Sequence, residues 1–256
     1  MVRHCSCFDA ITMLVAVTVA VGHAQELTIE DLRVKANQGD AEAEYSLGLR
    51  YANGEGVPQD YAQARPLFER AALQGYAPAE YNLGVLYADG LGGPQDYGLA
   101  RQWYERAARQ AYALADYRLA LLHEEGLGGV EDLAEAARLY RLAADEGLAS
   151  AQKNLAALYD FGRGVAQDYG EAATLYRLAA DQGNAEAQFN LGTMYANGQG
   201  VTQDYVQAYM WFGLVASGTT GESRELAVRR RDAVATRMTA DEVAEAQRLT
   251  AAFTPR

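Results

Sequence analysis

The chain is poor in the residues that usually carry chemistry. Its two cysteines, Cys5 and Cys7, both fall within the first seven positions. Everything after them must hold together by packing, without disulfides. Three histidines occur, His4, His23 and His123, and only the last lies beyond residue 24. No H-E-x-x-H string, cysteine cluster or phosphate-binding glycine loop is present, so no metal, cofactor or catalytic group is expected. Lysine is limited to Lys35 and Lys153. Five prolines among 256 residues leave long stretches free to be helical. Basic charge is scarce: 22 Lys and Arg stand against 34 Asp and Glu, a net charge of −12. That balance repels a phosphate backbone and argues against nucleic acid as a partner.

One uninterrupted apolar run exists, Ile11 to Val21, "ITMLVAVTVAV". Its eleven residues are too few to cross a bilayer, which takes about 20 as a helix. Arg3 precedes it, and the small residues Gly22 and Ala24 follow. Residues 1–24 therefore read as a secretory signal peptide cut after Ala24, giving a periplasmic or secreted chain. Asp9, just before the run, leaves an uncleaved anchor as the alternative. The mature chain would carry no transmembrane segment and would be a monomer.

What the sequence has in abundance is itself. "NGEGVPQDY", Asn53 to Tyr61, returns as "DGLGGPQDY", "EGLGGVEDL", "FGRGVAQDY" and "NGQGVTQDY". The first glycine of each falls at Gly54, Gly90, Gly126, Gly162 and Gly198, always 36 residues apart. A period of this size predicts stacked supersecondary units. Five copies are expected at 43–78, 79–114, 115–150, 151–186 and 187–218, with a half copy at 25–42 and capping helices at 219–256. In each copy, columns such as Ala43, Leu47 and Tyr51 mark one face of a first helix. Glycines then end it, since glycine accepts positive φ at a helix C-terminus. Asp60, Asp96, Asp132, Asp168 and Asp204 recur without exception, mostly with Glu or Gln three residues on. That is a capping-box pattern, and it predicts an N-cap, not a catalytic acid. The second helix carries Ala64, Leu67, Phe68, Ala71 and Ala72 and their equivalents, an amphipathic spacing. Pro66 sits inside it and predicts a kink or a late start in the first copy. Glu222 to Met238 and Thr239 to about Phe253 read as two terminal helices, the second opened by a Thr239/Glu242 capping box.

The pattern A-x-x-x-L-G-x-x-Y-x-x-G-x-G-V-x-x-D, then A-x-x-(L/W)-(F/Y)-x-x-A-A-x-x-G, resembles the Sel1-like repeat, a relative of the tetratricopeptide repeat. "AEYSLGLRYANGEGVPQDYAQARPLFERAALQG" fits it closely, and the resemblance covers residues 30 to 218. The third copy departs most, with His123 and Leu133 in tyrosine columns. The resemblance implies an all-α fold, a right-handed superhelical solenoid of antiparallel helix pairs. It also implies an adaptor that holds other proteins or peptides, and some bacterial relatives have been linked to β-lactam binding.

On a wheel of about 100° per residue, three columns of the first helix point away from Leu47 and Tyr51. They supply the candidate partner-binding face: Ser46, Asn82, Arg118, Asn154 and Asn190; Leu49, Val85, Leu121 and Thr193; Asn53, Asp89, Glu125, Phe161 and Asn197. Asparagine both donates and accepts, which suits a peptide backbone. From Gln25 to Thr219 the chain has 14 basic and 27 acidic residues, so a basic protein or peptide is the expected partner. The alternative is a hydrolase acting on β-lactams or cell wall, for which Ser150-Ala-Gln-Lys153 matches S-x-x-K. The companion S-D-N and K-T-G strings are absent. His123 fills a packing column, as a structural histidine would. Arg229, Arg230 and Arg231 spread around a helix and do not form one patch.

Overall fold

The computed structural model describes residues 27–255, and the signal-peptide reading of residues 1–24 lies outside them. The described residues are all-α, with thirteen helices and no strand among them. A single helix, α1 (Ile29–Asn37), precedes five helix pairs. These are α2 (Ala41–Asn53) and α3 (Tyr61–Leu73), α4 (Ala77–Asp89) and α5 (Tyr97–Ala108), α6 (Ala113–Glu125) and α7 (Leu133–Asp145), α8 (Ala149–Phe161) and α9 (Tyr169–Asp181), α10 (Ala185–Asn197) and α11 (Tyr205–Gly218). Two more, α12 (Gly221–Ala235) and α13 (Ala240–Ala252), follow. The chain forms two compact units, one ending at Glu131 and the other beginning at Asp132.

Small residues and rings set the packing within each unit. Phe68 and Tyr104 are buried against Gly48 and Gly84, and a Cβ on Gly84 would lie 2.6 Å from the Tyr104 ring. Glycine there leaves room for the ring to approach the helix. Ala64, Ala71 and Ala72 are fully buried beside Phe68. Burying one such aromatic contributes roughly 1.5–3 kcal/mol. Tyr76 and Tyr112 precede α4 and α6 and give no side-chain cap. Their rings pack on Tyr45 and Tyr81 instead, with centroids 5.1 and 5.4 Å apart.

The recurring "QDY" string closes the long turn. The Asp carboxylate accepts N–H bonds from the first turn of the second helix in all five copies, as its N-cap reading requires. The other half of the capping box does not form there. In four copies the Asp backbone N–H already donates to the first helix's tyrosine carbonyl: Asp60 to Tyr51, Asp96 to Tyr87, Asp168 to Tyr159 and Asp204 to Tyr195. The reciprocal box appears only at Thr28/Asp31 and Thr239/Glu242 among the described helices. The preceding glutamine does what spacing did not foresee. Gln95 Nε2 donates to the Ala88 carbonyl at 2.7 Å and to the Tyr97 hydroxyl at 2.9 Å. Gln59 and Gln167 repeat this clamp. In the third copy Glu131 and Leu133 replace the glutamine and tyrosine, and the boundary between the units falls in that turn. Gln95→Ala is expected to cost about 1 kcal/mol, by losing one net hydrogen bond to a helix-end carbonyl. A urea melt measures it, and a loss under a few tenths would remove the clamp from the account.

Turn glycines follow a second rule. Gly92 has φ +70° and faces the Tyr61 carbonyl of the previous copy, where any side chain would collide. This close approach is why the turn holds two glycines, the other being the left-handed helix cap Gly90.

Pro66 does not delay its helix. α3 starts at Tyr61, in register with α9 at Tyr169, and runs through Pro66 to Leu73. The Asp60 cap fixes the start upstream of the proline, which faces outward.

Candidate binding surface

The fourteen candidate residues lie on the first helix of each pair, but they do not form one open face. Asn82, Val85 and Leu121 are buried, at 0, 1 and 3 % exposure. Ser46, Leu49, Asp89, Arg118, Asn154, Asn190 and Thr193 are half-buried, and Asn53, Glu125, Phe161 and Asn197 are exposed. The wheel treated each helix as having one packed side. In the fold, successive first helices also touch each other. Asn82 Nδ2 donates to the Tyr45 hydroxyl of the preceding first helix at 3.3 Å. Burial thus takes Asn82, Val85 and Leu121 off the accessible surface.

The asparagine column also has a second duty. Asn154 Nδ2 donates to the Tyr140 hydroxyl at 3.0 Å, Asn190 bonds the Tyr176 hydroxyl, and Arg118 bonds Tyr81. Tyr140 and Tyr176 are almost wholly buried, and a buried phenol needs such a partner. Burial pushes the Tyr104 and Tyr176 phenols well above their ordinary range, so they stay neutral. Asn53 and Asn197 bond locally to Glu55 and Gln199.

A buried polar column escaped the sequence reading. Glu44, Glu80, Asp116, Gln152 and Gln188 are all buried at equivalent positions of the first helix. Glu80 accepts from Arg106 Nε at 3.1 Å and from Gln110 Nε2 at 2.7 Å. Glu44 is ion-paired with Arg70 and accepts from Gln74 Nε2. Gln152 and Gln188 donate to the Ala144 and Ala180 carbonyls at the end of the preceding helix. The signal was visible as a recurring acid or amide after the A-x-A step.

The second unit gathers open surface along α10. Three cavities of about 310, 320 and 340 Å3 follow one another beside it. The first two share Phe189 and Asn190, and the last two share Thr193 and Arg230. Phe161 and Asp160 of α8 border the middle cavity. One face of α12, Ser223, Leu226, Arg230 and Ala233, also borders the row, as does Arg237 just after the helix. Volumes of this size suit side chains or small ligands. Of the predicted residues, Phe161, Asn190, Thr193 and Asn197 are brought together here. Phe189, Leu226 and Arg230 join them, though sequence reasoning did not select them. Burial pushes the Asp160 carboxyl above the usual carboxylate range.

The remaining candidates are in structural roles. His123 is buried in the last turn of α6. Ser150 is the second residue of α8, whose N-cap is Leu148, so it does not cap the helix. Lys153 Nζ, one turn on, is 2.8 Å from Glu186. Arg229 pairs with Glu225, and Arg231 with Asp232. Among the described residues, no group of three or more His, Cys, Asp or Glu is placed to hold a metal ion. No helix among them is long and apolar enough to cross a membrane.

Five consecutive stretches, residues 41–76, 77–112, 113–148, 149–184 and 185–217, match the Sel1 repeat family. No curated protein matches the sequence. Among solved structures, a Sel1 repeat protein from Oxalobacter formigenes is 31% identical with a TM-score of 0.71, covering 77% of this chain and 82% of its own. A protective antigen of uropathogenic Escherichia coli strains, displaying an SLR fold, is 30% identical with a TM-score of 0.57. That match covers 87% of this chain and 55% of the antigen. A sel1 repeat protein from Klebsiella pneumoniae is 22% identical with a TM-score of 0.50, covering 82% of this chain and 100% of its own, and shares the fold. With matched repeats running from Ala41 to Ser217 and helix pairs of the same period, the chain belongs to the Sel1-repeat family.

Proposed function

We propose that the chain is a non-catalytic scaffold that binds a protein or peptide through the open parts of its first-helix face, in the periplasm or outside the cell. The observation that carries this is the row of cavities along α10, lined by rings, amides and hydroxyls together with the charged Asp160, Glu186, Arg230 and Arg237. Phe161 is 69% exposed at a position where the other copies hold Asn, Asp or Glu. An exposed ring amid amides is the composition of a recognition surface. The acidic balance of the repeats favours a basic partner, drawn in by long-range charge. The export reading comes from residues 1–24, and the scaffold is taken to act as a monomer.

Display of random peptides against the immobilised full-length chain tests this. Saturable binders are expected, with affinity falling about tenfold in Phe161→Ser and Asn197→Asp variants that melt like the parent. Turnover of a chromogenic β-lactam that disappears in Ser150→Ala would overturn the reading in favour of a hydrolase. So would a complete failure to select binders.

A further inference from the structure

Arg230 is a guanidinium in the second unit that its neighbours do not use. Arg229 and Arg231, on either side, are each paired to an acid, and Arg237 Nη1 bonds the Tyr205 hydroxyl. Arg230 has no hydrogen-bond or ion-pair partner among the described residues, yet it borders both the middle and the last cavity beside α10. Asp160 of α8 borders the same middle cavity, and its side chain also lacks such a partner. No salt bridge joins the two, so each is left to meet something that enters between them. Asp160 occupies a column that holds Ala52, Ala88 and Ala196 in three other copies. The pair is therefore a local departure from the repeat.

The spacing of the α12 wall selects what fits. Leu226 lines the first cavity with Phe189 and Val215, which makes that end apolar. Arg230 comes four residues later on the same face, about 6 Å along the helix axis. In an extended peptide, side chains two residues apart point the same way and lie roughly 6.6 Å apart. The residue between them, and the next one on, point to the opposite wall. Asp160 borders this cavity from another helix, α8, and is taken as the group those side chains meet. From Glu186 to Asn197 the row spans roughly 16 Å of α10, room for about five extended residues. The cavities continue on both sides of Arg230, so a chain need not end there.

We infer that the α10 trough binds an internal, extended peptide segment with an apolar side chain in the Leu226 pocket and, two residues away, a side-chain carboxylate on Arg230. Asp160 takes a basic side chain from the residue next to that carboxylate. The inference rests on the scaffold reading and names the chemistry of its partner. It also reconciles two charges: the repeats attract a peptide that is basic overall, and Arg230 reads one acid within it.

The probe is a fluorescein-labelled octapeptide, Lys-Ser-Leu-Ser-Glu-Lys-Ser-Lys, with its reversed sequence as a second arm, titrated by anisotropy against the full-length chain. One of the two is expected to bind, and replacing its Glu with Gln should weaken binding about tenfold. Arg230→Glu should reverse the preference, so that a peptide with Lys in place of Glu now binds better. Leu226→Asp should weaken both peptides, and Asp160→Asn should lessen the benefit of the lysine beside the Glu. Arg230 is exposed, so the charge reversal should leave the thermal melt in place. Equal affinity for the Glu and Gln peptides, indifference to Arg230→Glu, or Arg230-dependent dimerisation without peptide binding would each overturn the inference. If display-selected peptides respond to Phe161→Ser but not to Arg230→Glu, the scaffold reading stands and this one falls.

Discussion

Arg106→Leu is expected to destabilise the protein by about 3 kcal/mol, near the lower end of what breaking a buried ion pair costs. Glu80 is 2% exposed, and both its oxygens are engaged, one by Arg106 Nε at 3.1 Å and one by Gln110 Nε2 at 2.7 Å. Removing the guanidinium strands a buried carboxylate with one amide for company. Arg106 is itself 37% exposed, so water can reach the gap and soften the loss. Its stacking on Trp103, 4.6 Å from ring centroid to guanidinium carbon, is lost as well. Glu80→Gln should behave differently. Gln152 and Gln188 hold the same position in the fourth and fifth copies, bonded to helix-end carbonyls. The amide removes the buried charge and keeps a hydrogen-bonding head, so a loss within about 1 kcal/mol is expected. Urea melts of both variants decide the matter. If the arginine variant lost no more than the glutamine one, the column would be a set of independent hydrogen bonds and not a paired charge.

The second large effect runs the other way. Pro66→Gln should stabilise the protein by about 2 kcal/mol. A proline inside a helix forfeits one backbone bond and crowds the carbonyl four residues back, at about 3 kcal/mol. Against this, proline stiffens the unfolded chain, which offsets about 0.4–1 kcal/mol. Glutamine stands at the equivalent Gln102 of the next copy, and Pro66 points outward, so no packing need change. For a chain of this length the gain corresponds to roughly 4–8 °C in Tm. A melt unchanged or lowered would mean that α3 already relieves the proline, and the cost assigned to it here would be wrong.

Much of the local structure was legible because it is governed by neighbours in sequence. The five aspartates cap five helices, since a carboxylate two or three residues before free N–H groups needs no tertiary help. Gly90 and its equivalents end helices for an equally local reason, their tolerance of positive φ. Even so, the capping box at Asp60 was half wrong. Its backbone N–H had a competitor nine residues upstream, the Tyr51 carbonyl, which a pattern of four residues does not contain.

The surface was less legible. Asn82 and Asn197 look alike in the repeat pattern as accessible amides, yet one is buried on a tyrosine of the preceding first helix and the other is exposed. Glu80, which the sequence reading did not select, is the centre of a buried network. In both cases the deciding atoms sit 26 to 37 residues away in the chain.

The sequence by itself determined the period, the helices, the glycine turns and the aspartate caps, because short-range sterics and hydrogen bonding settle those within a few residues. Only the tertiary structure decided which polar side chains face water. That depends on which helices lie side by side, and so on contacts a full repeat apart. It also set Arg230 of α12 and Asp160 of the fourth repeat beside one cavity, two residues 70 positions apart that no periodicity could bring together.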